Sequence, residues 1–171
     1  MTELVDDILF LSELEQGREV VALGETEAAP VLRAVVDERL ERAELAGLAL
    51  GVEIEDEGIL VPLRPRMLRT VIENLLENAI RYAGEGATCT FSLRREDGSI
   101  VLEASDDGTG VPEDDAPRLF ERFFRSDRAR TTRGSGLGLA IVKHVIETAG
   151  GHVEARGGPG RGLDVRCSLP G

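Results

Sequence analysis

Between Arg133 and Val142 the chain reads RGSGLGLAIV, with Gly134, Gly136 and Gly138 two residues apart at the entrance of an apolar helical pattern. Glycine is costly inside a helix, so three at its doorway need a reason. A helix N-terminus carries free N–H groups and a partial positive charge, and glycines let an anion lie against the backbone. The chemistry this suits is a seat for phosphate with a hinge before it; the plainer alternative is a flexible turn. A second group lies on the run MLRTVIENLLENAIRYA, Met67 to Ala83. On a helix, Leu68, Val71, Ile72, Leu75, Leu76 and Ala79 fall within about 140° of arc. Asn74 and Asn78 then sit together at the seam between the apolar stripe and the solvent face. Two asparagines at i, i+4 are either half-exposed polar residues or a pair of neutral oxygen ligands facing a cleft. A carboxamide oxygen suits Mg²⁺, which keeps waters and takes further oxygens from phosphates. Arg81 and Tyr82 continue toward the same edge, and Arg81 has the reach and geometry for a phosphate.

Two more stretches fit the same chemistry. In ASDDGTGVP, Asp106 leaves a strand ahead of Gly108 and Gly110. A carboxylate there either closes an acidic turn or accepts a hydrogen bond from an exocyclic amine such as that of adenine. The segment APRLFERFFRSD, 116–127, holds three of the five phenylalanines. Read as a short helix near 116–125, it places Leu119, Phe120 and Phe123 on one face. It is either a small satellite core or a mobile lid that carries Arg125 toward a ligand.

These groups need a scaffold. Residues 1–16 show Leu4, Ile8, Leu11 and Leu14 at helical spacing, closed by Gly17. An extended linker follows, then a helix at about 30–46 and two short strands with a turn at Asp56–Gly58. Pro65 opens the helix 66–82. TCTFSLRREDGSIVLEASD reads as a hairpin turning at EDG. The last helix spans 137–149 and stops at Gly150–Gly151, and HVEARGGPGRGLDVRCSL closes as a second hairpin. The interleaved pattern predicts an α+β fold: a two-layer α/β sandwich with a mixed, mainly antiparallel sheet and helices on one face.

The 171 residues suffice for one core, and the net charge of -12 opposes nucleic acid and anionic lipid. Any phosphate must therefore be held by local donors. Cys89 and Cys167 lie in alternating apolar patterns and read as buried thiols of a reducing compartment, so a cytoplasmic location is expected. His144 falls on the polar face of the last helix and His152 at a strand start. Neither belongs to a nucleophilic triad.

The four stretches, in this order, resemble the ATP-binding catalytic domain of sensor histidine kinases, a Bergerat-fold family. The resemblance covers about residues 18–171. It implies that Asn78 coordinates Mg²⁺ with Asn74 in support, and that Arg81 and Tyr82 approach the phosphates and sugar of ATP. It implies that Asp106 binds the adenine amino group beside Gly108 and Gly110, and that Arg125 contacts the terminal phosphate. The box Gly134, Gly136, Leu137, Gly138 hinges an ATP lid and lines the phosphates. Arg133 departs from the pattern, standing where many relatives have another glycine. Residues 1–17 resemble the end of a dimerisation helix and a linker. The family's phosphoacceptor histidine box is absent, so the resemblance implies transfer of the γ-phosphate to a histidine on a separate helical dimerisation domain of the parent kinase. A response regulator receiver domain would be the next partner, the parent a homodimer and this chain a monomer, inactive in autophosphorylation by itself. Rival readings are a serine kinase acting on a partner protein and a nucleotide-sensing module. Glu73 also stands where related ATPases carry a water-activating carboxylate.

Overall fold

In the computed structural model, residues 2–17, 24–126, 130 and 133–171 are described. Much of the expected linker and the loop after Ser126 lie outside them. The elements are α1 (Thr2–Glu15), β1 (Thr26–Glu27), α2 (Ala28–Leu45), β2 (Ala49–Ile54), β3 (Leu60–Val61), α3 (Pro65–Tyr82), β4 (Thr88–Glu96), β5 (Ser99–Asp106), a 3₁₀ turn (Ala116–Phe120), α4 (Gly138–Thr148), β6 (His152–Gly157) and β7 (Leu163–Pro170).

The main sheet runs β2-β4-β5-β7-β6, and β1 pairs only with β3. Every neighbouring pair in the main sheet is antiparallel except β2 with β4. The β4–β5 hairpin turns at Asp97 and Gly98, both at positive φ, as a tight two-residue turn between right-twisted strands demands. The strands either side of Asp56–Gly58 do not pair with each other. β2 joins the main sheet, and β3 leaves it for the ribbon with β1.

Alternation along β4 turns Cys89, Phe91 and Leu93 inward, and β7 adds Val165, Cys167 and Leu169. Onto this face α3 lays Met67, Leu68, Val71, Ile72, Leu75, Leu76 and Ala79, the expected stripe with one more member. Each of the larger ones, from Met67 to Leu76, contributes about 1.5–3 kcal/mol by leaving water. Pro65 stands at the first helical position, where its missing N–H costs nothing. α4 ends in a Schellman motif: Gly150 N–H donates to Glu147 O (3.0 Å) and Gly151 N–H to Ile146 O (2.9 Å). On the outer sheet face, Arg94 pairs with Glu103 and Arg166 with Glu96. Both cysteines are free and buried, and burial pushes their thiols up to about 12, leaving them unreactive.

Two expectations are corrected. The helix expected near 116–125 is only the 3₁₀ turn Ala116–Phe120. The chain is extended at Glu121, and Phe123 takes φ 61°, so that its N–H donates to Gly136 O at 3.0 Å. That bond is incompatible with a continuing helix. Phe120 is buried as expected, whereas Phe123 is 58% exposed. In α1, Leu11 and Leu14 are buried, but Leu4 and Ile8 are 40% and 43% exposed. The helix turns its acidic side toward the body instead.

Gly162, beside the end of β5, has φ +77, and a Cβ there would lie 1.8 Å from Asp106 O. Gly160 has φ +71 with open space around it. Gly162→Ala should therefore cost about 3 kcal/mol in urea unfolding, and Gly160→Ala about 1 kcal/mol. Equal losses would show that the strand end yields easily.

Candidate functional site

The apolar stripe of α3 fixes the helix's rotation, which sets its polar edge against α4. Asn74 donates from Nδ2 to Thr70 O at 2.9 Å. Its Oδ1 faces the start of α4, where a Cβ on Gly138 would come within 2.9 Å. Asn74 thus stands where α3 and α4 meet. Asn78, one turn on, lines a cavity of about 300 Å³. This volume is at the lower end for small-molecule sites.

The glutamates of α3 are tied to arginines. Glu73 pairs with Arg69 (3.0 Å) and Arg39 (3.6 Å), and Glu77 with Arg42 (2.5 Å) and Arg81 (2.8 Å). Arg81 is half-buried at the cavity edge, and its second partner is Glu3 of α1 at 2.7 Å. The glycine run closes over this end of α3. A Cβ on Gly134 would stand 2.8 Å from both Arg81 Nη1 and the Tyr82 hydroxyl. A side chain there would push the tips of Arg81 and Tyr82 aside. Ser135 Oγ accepts the N–H of Leu137 at 3.1 Å and donates to Asp7 of α1 at 2.5 Å. Burial pushes the Asp7 carboxyl above its ordinary value, more than the Ser135 bond lowers it.

The Phe segment forms a further wall through Leu119, Phe124 and Arg125. Arg118 stacks on Phe124, 4.2 Å from the ring centre. Arg125 is half-buried, with its Cγ 3.4 Å from where a Cβ on Gly136 would be. At the far end, Gly110, Val111 and Leu163 close the cavity.

Of the twelve residues expected from sequence, nine line this cavity: Asn74, Asn78, Arg81, Tyr82, Gly110, Arg125, Gly134, Gly136 and Gly138. Asp106, Gly108 and Leu137 do not line it; Asp106 and Gly108 are half-buried and adjoin its Thr109–Gly110 end. Asp106 Oδ1 accepts the Gly108 N–H at 2.9 Å, and its carboxyl also takes the backbone N–H of Leu163. Burial, the largest influence, pushes Asp106 above its ordinary value, against those two hydrogen bonds. Gly108 is held where a Cβ would meet Ala83 O at 2.0 Å. Leu137 is 1% exposed and packs in the core, so its side chain serves as an anchor for the loop.

Sequence reasoning missed Leu163, Ser135, Glu3 and Asp7 as lining residues. Leu163 enters through its register opposite Asp106. Glu3 and Asp7 had one signal, an i, i+4 acidic pair beside the apolar stripe of α1, with nothing to say what they would meet. His144 and His152 do not line the cavity.

Residues 63–171 match the family described as histidine kinase-, DNA gyrase B-, and HSP90-like ATPase. The chain is 34% identical over 166 residues to the sensor protein DivL of Caulobacter vibrioides, covering 97% of this chain and 21% of DivL. Among solved structures it is similar to the mycobacterial sensor histidine kinase MprB, with TM-score 0.76, 28% identity, and coverage of 86% of this chain and 98% of that one. It is also similar to full-length ShkA in complex with AMPPNP, with TM-score 0.84, 27% identity, and coverage of 98% of this chain and 35% of ShkA. The chain thus spans about a fifth of DivL and a third of ShkA. With its motif residues gathered on one cavity and this match over most of its length, the chain belongs to the histidine kinase-, DNA gyrase B- and HSP90-like ATPase family, and its relatives there are sensor histidine kinases.

Proposed function

We propose that this chain binds Mg²⁺-ATP in the cavity between α3 and the Gly134–Gly138 loop and presents the γ-phosphate to a histidine on a separate helical dimerisation domain. The observation that carries this reading is the meeting of Asn78, Arg81, Tyr82 and Arg125 with three glycines around one cavity. The solved relative ShkA holds AMPPNP, which supports a nucleotide here. In the transfer, the γ-phosphorus bond to the β-bridging oxygen breaks, ADP leaves with the electron pair, and a bond forms to an imidazole nitrogen. The protein's work is positioning and charge compensation. Arg81 and the open N-terminus of α4 hold the phosphate chain, and Arg125 offsets charge on the transferred group. Asp106 accepts from the adenine amine, with Gly110 and Leu163 at the base end.

The donor set suits magnesium. Asn78, on the cavity wall with Asn74 one turn before it, would hold the ion by one neutral carboxamide oxygen, leaving the remaining positions to water and phosphate oxygens. When bound, Mg²⁺ supplies positive charge to the phosphate oxygens. Neither histidine of the chain faces the cavity, in keeping with an acceptor from elsewhere. On this reading residues 1–17 are the end of a dimerisation helix and 18–171 the catalytic domain. This chain works in the cytoplasm and by itself is a monomer, and the parent kinase is a homodimer that serves a response regulator receiver domain. No helix among the described residues is long and apolar enough to cross a membrane.

Asn78→Ala should weaken ATP binding in Mg²⁺ about 10-fold to 100-fold and leave the residual metal-free binding unchanged, by calorimetry. Equal loss in both conditions would remove the metal role. Arg125→Ala should spare ADP affinity and slow transfer to an added histidine-bearing domain by about 10²-fold or more. Comparable loss of ADP binding would place Arg125 elsewhere on the ligand. Asp106 offers a pH test. Its carboxyl is raised in the fold, so ionising it costs stability as pH rises through the window above the unfolded value. Asp106→Asn escapes that cost. Its melting temperature relative to wild type should climb as pH rises above about 4, the ordinary aspartate value, while its ADP affinity falls about 10-fold. A flat difference would mean the charge is already compensated.

A further inference from the structure

The first half of α1 is held over the cavity by acidic side chains. Glu3 Oε1 takes Arg81 Nη2 at 2.7 Å, and Asp7 Oδ2 takes the Ser135 hydroxyl at 2.5 Å. Both carboxylates line the cavity itself. Their partners are the arginine at the end of α3 and the serine inside the glycine loop, two groups that a polyphosphate would also engage. Meanwhile Leu4, Val5, Ile8 and Leu9 point away from the body, between 40% and 57% exposed. Leu11 and Leu14, in the second half, enter the core, and Phe10 packs against it. Glu15 pairs with Arg122 there, and Arg66 lies over the Phe10 ring at 5.6 Å. The helix is therefore anchored by packing at its C-terminal half and by charge at its N-terminal half.

We infer that Glu3 and Asp7 act as an internal phosphate mimic, so that α1 is a latch that competes with the nucleotide for Arg81 and the glycine loop. This rests on the nucleotide reading above. Carboxylates and a phosphate chain compete for the same guanidinium edge and hydroxyl, so nucleotide binding favours release of the N-terminal half of α1. Coupling of this kind is reciprocal: whatever draws α1 off the body raises nucleotide affinity by the same factor by which nucleotide favours release. The latch sets a threshold for ATP and converts its arrival into a movement of α1.

The test compares two variants of the whole chain with equal net charge. One is Glu3→Gln with Asp7→Asn. The other is Glu13→Gln with Glu41→Gln, both exposed and away from the cavity. ATP affinity by calorimetry should be about 5-fold to 10-fold tighter in the first than in the second. In the wild type, amide exchange over residues 2–10 should speed up on adding Mg²⁺-ATP. Equal affinity in the two variants, or exchange slowed by ATP, would overturn the latch while leaving the nucleotide site intact. Absence of ATP binding in the wild type and in both variants would overturn the nucleotide reading and the latch with it.

Discussion

The packing of α3 against the inner face of the sheet is the constraint from which the site follows. Seven buried side chains on one stripe leave the helix no freedom to rotate. Because helical residues advance by 100°, fixing the stripe also fixes the seam beside it. Asn74, Asn78 and Arg81 occupy that seam. A rotation of one residue would bury a carboxamide and expose a leucine, which costs far more than any ligand contact returns. The cavity therefore inherits its geometry from the core, and its polar groups are presented before any ligand arrives.

A second layer of positioning comes from the glycine loop. The loop approaches α3 so closely that Arg81 Nη1, the Tyr82 hydroxyl and Asn74 Oδ1 would crowd a Cβ on Gly134 or Gly138, at 2.8–2.9 Å. Phe123 then hydrogen-bonds Gly136, which couples the Phe segment to the loop. Movement of the loop would carry Arg125 with it. The acidic surface makes these local arrangements necessary, since the mean field of a chain with net charge -12 repels phosphate.

Much of this was legible in the sequence because it is encoded locally. The stripe of α3, the Asp97–Gly98 turn and the Gly150–Gly151 stop are properties of a few adjacent residues, and each stands where the pattern put it. Nine of the twelve expected site residues share one cavity: Asn74 and Asn78 follow from the stripe of α3, Arg81 and Tyr82 stand at its end, and the glycine run sits at the start of α4. What escaped was non-local. The parallel pairing of β2 with β4, the register placing Leu163 opposite Asp106, and the return of Glu3 to Arg81, 78 residues away, depend on tertiary packing. The segment after Pro117 looked helical by spacing, but the bond from Phe123 to Gly136 overrode it. The apolar spacing in α1 misled for a related reason: Leu4 and Ile8 share a stripe with Leu11, yet the body meets the acidic edge.

The central claim is that this preformed cavity is a Mg²⁺-dependent adenine nucleotide site. Its most direct test is a calorimetric titration of ATP into the unaltered chain with and without Mg²⁺. Saturable binding near one site per chain that weakens sharply when the metal is withheld is the expected result. A featureless titration in both conditions, from a chain shown to be folded, would contradict it.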